Sequence, residues 1–95
     1  MYVRLVHGQP RPGQAQEVAR RWKEHLAPRL RSIPGFRAAY FVGDPAGDKV
    51  IGISFWDGPP GAAVDEAMAG FRQLVDDVTT GPPAARDDLL VLAEA

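Results

Sequence analysis

The apolar residues of the chain follow a helical spacing in two segments. From Gln14 to about Ser32 they recur every three or four positions, which puts them on one face of a helix. That face consists of Val18, Trp22, Leu26, Leu30 and Ile33. The same spacing over 62–79 predicts a second amphipathic helix, with mainly charged residues on its other side.

Pro28 lies inside the first helical pattern. It cannot donate a backbone hydrogen bond to the carbonyl of Glu24, and its ring crowds the same turn. The apolar spacing nevertheless continues through it, from Leu26 to Leu30. We therefore predict a kink or a change of helical geometry near 24–28, with no extended break in the segment.

Four segments have the pattern of strands. Residues 2–8 alternate between two faces, and 36–42 and 50–56 are apolar runs joined by a turn rich in Gly, Asp and Pro. The run 89–95 is apolar on both faces and predicts the last strand, whereas 79–88 predicts a loop.

The resulting order, β-α-β-β-α-β, is that of the ferredoxin-like fold in the α+β class. We predict one domain over 1–95, with a four-stranded antiparallel sheet and two helices on one of its faces. The strand at 50–56 has no polar face, so the helix-free side of the sheet would be apolar and exposed in a monomer. A second copy of the sheet across a two-fold axis is the simplest cover, and we expect a homodimer.

Composition and charge exclude several classes of function. The net charge of −1 lacks the basic excess that nucleic-acid binding requires, and no apolar run approaches the roughly 18 residues of a membrane span. We expect a cytoplasmic protein with neither nucleic acid nor membrane among its partners. Without cysteine or a zinc, dinucleotide or phosphate-loop motif, and with its acidic clusters on a turn and a helix surface, the sequence predicts no metal site.

Two features resemble a known family. They are the run L-x-P-x-L-x-x-x-P-G-F at 26–36 and Trp56, which closes a strand before an alanine-rich amphipathic helix. Together they are similar to the antibiotic-biosynthesis-monooxygenase-like family, and the similarity extends over essentially the whole chain. The resemblance implies that two ferredoxin-like units pack their sheets together as a dimeric α/β barrel, each with a cavity between sheet and helices.

The family includes oxygenases that oxidise polycyclic phenols without metal or flavin, quinol oxygenases and haem-degrading enzymes. The haem-degrading members need a histidine on the second helix, and 62–79 contains none. The resemblance therefore implies no cofactor for this chain.

Trp56 is the first candidate for the site, because the resemblance aligns it with a tryptophan that many family members place in the pocket. Gly52 and Ser54 precede it on the same strand face, where small side chains leave room for a flat ligand under an indole. The alternative is a core tryptophan packed against the second helix.

The two histidines are candidates for acid–base chemistry. His7 shares a strand face with Val3 and Leu5, and an imidazole there can act as the general base toward a phenol. The alternative is that it points to solvent at the end of its strand. His25 lies at the edge of the apolar stripe beside Pro28, where it is either a pocket residue or a boundary residue.

Two other aromatic residues are candidates for ligand binding. Tyr40 lines the cavity in only one register of the hairpin, because a one-residue shift exchanges it with Phe41. Phe71 falls on the apolar stripe of the second helix, with membership of the hydrophobic core as the simplest alternative.

These residues favour two hypotheses. In the first, a cofactor-independent oxygenase holds a small or polycyclic phenol or quinol against Trp56 and Tyr40, and His7 takes its proton so that the anion passes an electron to oxygen. In the second, the same dimeric barrel is a non-catalytic module with a ligand-binding, accessory or stress-related role. An unfilled apolar cavity beside Trp56 and His7 favours catalysis, and a solid core there favours the module.

Overall fold

In the computed structural model, which describes residues 1–95, a four-stranded antiparallel sheet carries all of the helices on one face. The strands are β1 (Tyr2–Gly8), β2 (Phe36–Gly43), β3 (Val50–Trp56) and β4 (Ala85–Leu90). They lie in the order β2-β3-β1-β4, which is the order of the ferredoxin-like fold. The fold class predicted from the sequence is confirmed.

The first helical segment changes geometry in its middle. It consists of α1 (Ala15–Arg21), a π-helical turn (Trp22–Leu26) and α2 (Ala27–Arg31). In the π turn the N–H of Ala27 donates to the carbonyl of Trp22, five residues earlier. Pro28 lies in the first turn of α2, where a missing N–H is tolerated. The predicted change of helical geometry near Pro28 is confirmed.

The second helix, α3 (Ala62–Leu74), is followed by a 3₁₀ turn (Asp76–Val78). Its buried stripe packs with the first helical segment and the sheet in one core cluster, formed by Leu26, Leu30, Trp56, Val64 and Ala67. A smaller cluster joins Val18 of α1 to Val75 and Val78 beyond the end of α3. The core therefore lies entirely between the sheet and the helices.

Strand register decides which residues face the helices. In β1, Arg4 lies opposite Ser54 of β3, and both side chains are buried, so this is the helix-covered face. Successive residues of a strand point to opposite faces. The helix-free face, here called the open face, therefore carries Val3, Leu5, His7, Tyr40, Val42, Ile51, Ile53, Phe55, Asp87 and Leu89.

The hairpin has an irregularity that fixes its register. Between Phe36 and Ala38 the pairing with β3 shifts by one residue, so that Tyr40 lies opposite Ile53 and Phe41 opposite Gly52. Phe41 consequently faces the helices, and Tyr40 lies on the open face.

The last strand lies earlier in the chain than the sequence pattern predicts. β4 spans Ala85–Leu90, so the predicted loop at 79–88 contains most of it, and 91–95 form no strand. All six residues of β4 are exposed, and no apolar run is required of an exposed edge strand. The predicted strand at 89–95 is therefore wrong beyond its first two residues.

Arg21 joins α1 to the end of α3. Its Nε donates to Glu17 at 2.7 Å, and its Nη1 donates to the carbonyl of Leu74 at 2.9 Å and to Asp77 at 2.7 Å. Because the last carbonyls of a helix have no partner within the helix, this guanidinium caps α3 from outside. Glu17 also accepts two hydrogen bonds from Arg20.

We expect Glu17→Gln to destabilise the protein at neutral pH and to have no effect in strong acid. Hydrogen bonds from Arg20 and then Arg21 lower the pKa of Glu17 from 4.5 to about 2. A lowered pKa contributes stability above the unfolded-state value, and this contribution is lost as the pH falls from 4.5 towards 2. Urea unfolding of both proteins, repeated at pH values through that window, measures the difference in their free energies of unfolding, which should shrink as the pH falls. A difference that stays constant with pH would contradict the prediction.

Candidate functional site

A cavity of about 280 Å³ lies between the helix-covered face of the sheet and the helices. The sheet contributes the side formed by Val6, Phe41, Val50, Gly52 and Ser54. The helices contribute the side formed by Val18, Trp22, Leu26, Leu30, Met68 and Phe71. Apolar walls with a few polar groups are typical of small-molecule sites.

An aromatic slot occupies the β2–β3 side of this cavity. A Cβ atom added at Gly52 would lie 3.8 Å from Nε1 of Trp22, so the missing side chain leaves room for about one methyl group beneath the edge of the indole. The rings of Trp22 and Phe41 have centroids 5.6 Å apart and planes inclined by 32°. Of the two tryptophans, only Trp56 donates its indole N–H within the protein. The N–H of Trp22 is therefore a free donor beside the slot.

A buried arginine lies behind the other side of the cavity and holds one of its lining residues, Asp65. Arg4 is 1% exposed, and its Nε and Nη2 donate to the two carboxylate oxygens of Asp88 at 2.7 and 3.1 Å. Its Nη1 donates to Asp65 of α3 at 2.7 Å. The hydrogen bonds from Arg4 hold the pKa of Asp88 below its usual range. Arg4 thus connects β1 with both β4 and α3.

Two arginines line the cavity itself at this end. Arg86 of β4 lies 3.5 Å from Asp65 and 3.9 Å from Asp88, which are looser contacts than those of Arg4. Arg72 of α3 lines the cavity and takes part in none of the ion pairs. The β4–α3 end of the cavity therefore has more guanidinium groups than carboxylates.

His7 is not part of this site. It lies on the open face, with its side chain 38% exposed and its Nε2 3.8 Å from Asp87, and the sheet separates it from the cavity. The expectation of an imidazole base in the cavity is thus corrected. The physical reason is that alternation along β1 defines two faces but does not say which one the helices cover.

Trp56 is a core residue, which was the alternative to a place in the pocket. It is buried in the main core cluster, its Nε1 donates to Ser54 Oγ at 2.9 Å, and its ring packs edge-on against Phe36 at 5.5 Å. It does not line the cavity, and the indole above the small residues of β3 belongs to Trp22.

Of the three remaining candidates, one lines the cavity and two lie outside it. Tyr40 is on the open face, where its ring packs edge-on against Phe55 at 6.5 Å. His25 is exposed on the π turn, with its Nε2 4.0 Å from Glu24, and does not reach the cavity. Phe71 does line the cavity, and it also packs against both core clusters.

Trp22, Phe41 and Arg4 were outside the set that the sequence singled out as site residues. Trp22 shares its helical stripe with core leucines, so the pattern offers nothing to separate it from them. Arg4 had a signal in the sequence, since a lone arginine sits among the apolar residues of β1. The role of this arginine becomes clear only from the fold, which places Asp88 of β4 opposite Arg4.

The chain has the fold of the antibiotic-biosynthesis-monooxygenase-like proteins. It superposes with a TM-score of 0.79 on a monooxygenase from the gene ActVA-Orf6 of Streptomyces coelicolor, in complex with the ligand Nanaomycin D, at 17% identity over 99% of this chain and 89% of that one. The TM-score is 0.69 for a mutant of SnoaB, a cofactor-independent oxygenase from Streptomyces nogalater, at 14% identity over 98% and 95% of the two chains.

Rv0793 from Mycobacterium tuberculosis is also similar, with a TM-score of 0.72 and 20% identity over 99% of this chain and 97% of that one. No protein-family model and no curated protein matches the sequence. The resemblance seen in the sequence is therefore confirmed in the fold. None of the helices has the length and apolar character needed to cross a membrane.

Proposed function

We propose that this protein binds a small, flat phenol or quinol in the cavity beneath Trp22. The observation that carries the proposal is the apolar cavity between the sheet and the helices, with the free N–H donor of Trp22 at its β2–β3 side and no side chain on Gly52 below it. The cavity volume of 280 Å³ is just below the range of about 300–1,000 Å³ usual for small-molecule sites. A ligand of one or two fused rings fits this volume better than a larger polycyclic one.

The reaction proposed for this ligand is a cofactor-independent oxygenation: the ionised phenol passes an electron to O₂, the aryloxyl radical and superoxide combine to form a C–O bond, and the hydroperoxide loses water to give a quinone. It is supported by the fold shared with a monooxygenase that holds Nanaomycin D and with SnoaB. The cavity offers no imidazole as a base, but Arg72 and Arg86 line it. Positive charges at one end of so small a cavity lower the pKa of a phenol bound in it, so that the proton can leave to solvent without an imidazole base.

The alternative is a non-catalytic ligand-binding module. The position of His7 on the opposite face of the sheet favours it, because the one carboxylate that lines the cavity, Asp65, already accepts a hydrogen bond from Arg4.

Two measurements test these functions in sequence. Calorimetric titration with 2-naphthol, followed by oxygen uptake in the presence of 1,4-naphthohydroquinone, separates binding from chemistry. Saturable binding with oxygen uptake above the spontaneous rate supports the oxygenase. Binding without added uptake supports the module, and absence of binding overturns both.

We also propose that a second copy of the chain covers the open face. This face has three exposed apolar side chains, Tyr40, Val42 and Leu89, beside a row of aliphatic residues on β1 and β3. A continuous apolar patch of this kind is unusual on a soluble monomer, and the helices all lie on the other side of the sheet. A two-fold axis would pair the open face with itself.

Tyr40→Glu should weaken the proposed dimer. The tyrosine is 57% exposed in the single chain and packs on Phe55, so a carboxylate there would be desolvated on association. We expect the dissociation constant to rise at least about tenfold. Sedimentation velocity at micromolar concentration measures this, with Gln73→Glu on the exposed side of α3 as the matched change of charge. A monomeric wild type, or an unaffected Tyr40→Glu dimer, would contradict the proposal.

A further inference from the structure

The two ends of the cavity differ in charge. The slot at Trp22 and Phe41 has aromatic walls and an indole N–H, a neutral donor suited to a hydroxyl or carbonyl oxygen. The β4–α3 end has the guanidinium groups of Arg72 and Arg86. A ligand that fills the whole cavity therefore meets a neutral donor at one end and cations at the other.

The carboxylates at the β4–α3 end are already occupied. Asp88 accepts two hydrogen bonds from Arg4, and Asp65, which also lines the cavity, accepts one at 2.7 Å from the same guanidinium. Arg86 is 3.5 Å or more from these acids. Arg72 has no carboxylate partner, so its charge is available to a ligand.

We propose that the preferred ligand is an aromatic carboxylic acid, with its hydroxyl-bearing ring in the slot and its carboxylate at Arg72. This inference rests on the proposed function, because it specifies the substrate class of the same site. A guanidinium pairs with a carboxylate through two parallel N–H donors, which gives both affinity and a fixed orientation. Arg86, loosely held by its own acids, provides the second cation of this end.

The test compares three naphthalene probes that differ only at one position. These are 2-naphthol, 6-hydroxy-2-naphthoic acid and the methyl ester of that acid, each titrated by calorimetry. The wild type should bind the acid about tenfold more tightly than the ester, an increment within the usual range for one charge-assisted contact. This preference should weaken as salt is added, because the end of the cavity is partly exposed.

Variants of Arg72 assign the preference to one side chain. Arg72→Gln should reduce the affinity for the acid to that for the ester, and the affinity for 2-naphthol, measured in the same variant, corrects for any general loss of binding. Arg72→Lys should retain part of the preference, because it keeps the charge without the paired donors. Arg31→Gln is the matched control, since Arg31 is exposed on α2 and outside the cavity.

The outcomes distinguish this inference from the function on which it rests. If 2-naphthol does not bind to the wild type, the proposed function fails. If 2-naphthol binds but the acid binds no more tightly than the ester, the carboxylate inference alone is overturned. An acid preference that survives in Arg72→Gln would also overturn the assignment to Arg72.

Discussion

Asp88→Ala should destabilise the protein by about 3 kcal/mol, whereas Arg4→Met should cost about 1 kcal/mol. The two variants break the same ion pair, but they leave different groups behind. Asp88→Ala leaves a guanidinium that is 1% exposed with Asp65 as its only carboxylate. Arg4→Met leaves two carboxylates whose side chains are 35% and 50% exposed, and these can be hydrated where they stand.

Urea unfolding at neutral pH measures the difference between these variants. Asp48→Ala is the control, because Asp48 is exposed in the β2–β3 turn and its side chain makes no ion pair, so its cost should stay within about 0.5 kcal/mol. The difference in free energy of unfolding between wild type and Asp88→Ala should become smaller in acid, because Arg4 holds the pKa of Asp88 below its usual 3.8. Equal costs for Arg4→Met and Asp88→Ala would contradict this account.

The same ion pair explains why the last strand was misplaced by sequence reasoning. β4 has no buried residue, so hydrophobic burial contributes little to its position. Backbone pairing with β1 and the contact between Arg4 and Asp88 hold it instead. A search for apolar runs selects 89–95, because it detects burial and the actual strand has none.

The elements that burial does determine were predictable. Both amphipathic helices, the hairpin and the first strand bury one face, so their apolar spacing is a direct consequence of the fold. The change of geometry at Pro28 was also predictable, because a missing N–H and a ring clash act locally and need no tertiary information.

The candidate site was less predictable, because it depends on which face is covered and on a single-residue shift. The irregularity between Phe36 and Ala38 moves Tyr40 to the open face and brings Phe41 beneath Trp22. The small residues of β3 correctly indicated space near an indole, but that indole belongs to Trp22 in the π turn and not to Trp56. The choice between the two tryptophans depends on tertiary packing, which the spacing of residues along the chain does not determine.

Gly52→Val should abolish most ligand binding while the protein remains folded. A Cβ atom at this position has an ordinary contact distance of 3.8 Å to Trp22 Nε1, but the two methyl groups beyond it would project into the slot. Forcing extra methyl groups into a fitted site costs about 1–3 kcal/mol, which corresponds to a loss of affinity of about fivefold to 150-fold. Valine is favoured over glycine in a strand, which offsets part of the crowding against Trp22, so the variant should still unfold in one cooperative transition.

Calorimetry with 2-naphthol measures the affinity, and urea unfolding measures the stability. Gly52→Ala should show an intermediate loss, because its single methyl group stops at the contact distance. Gly58→Val is the matched control, since a Cβ atom there meets no atom within 4 Å and Gly58 is outside this cavity. If Gly52→Val binds 2-naphthol as tightly as the wild type, the ligand does not occupy the slot beneath Trp22.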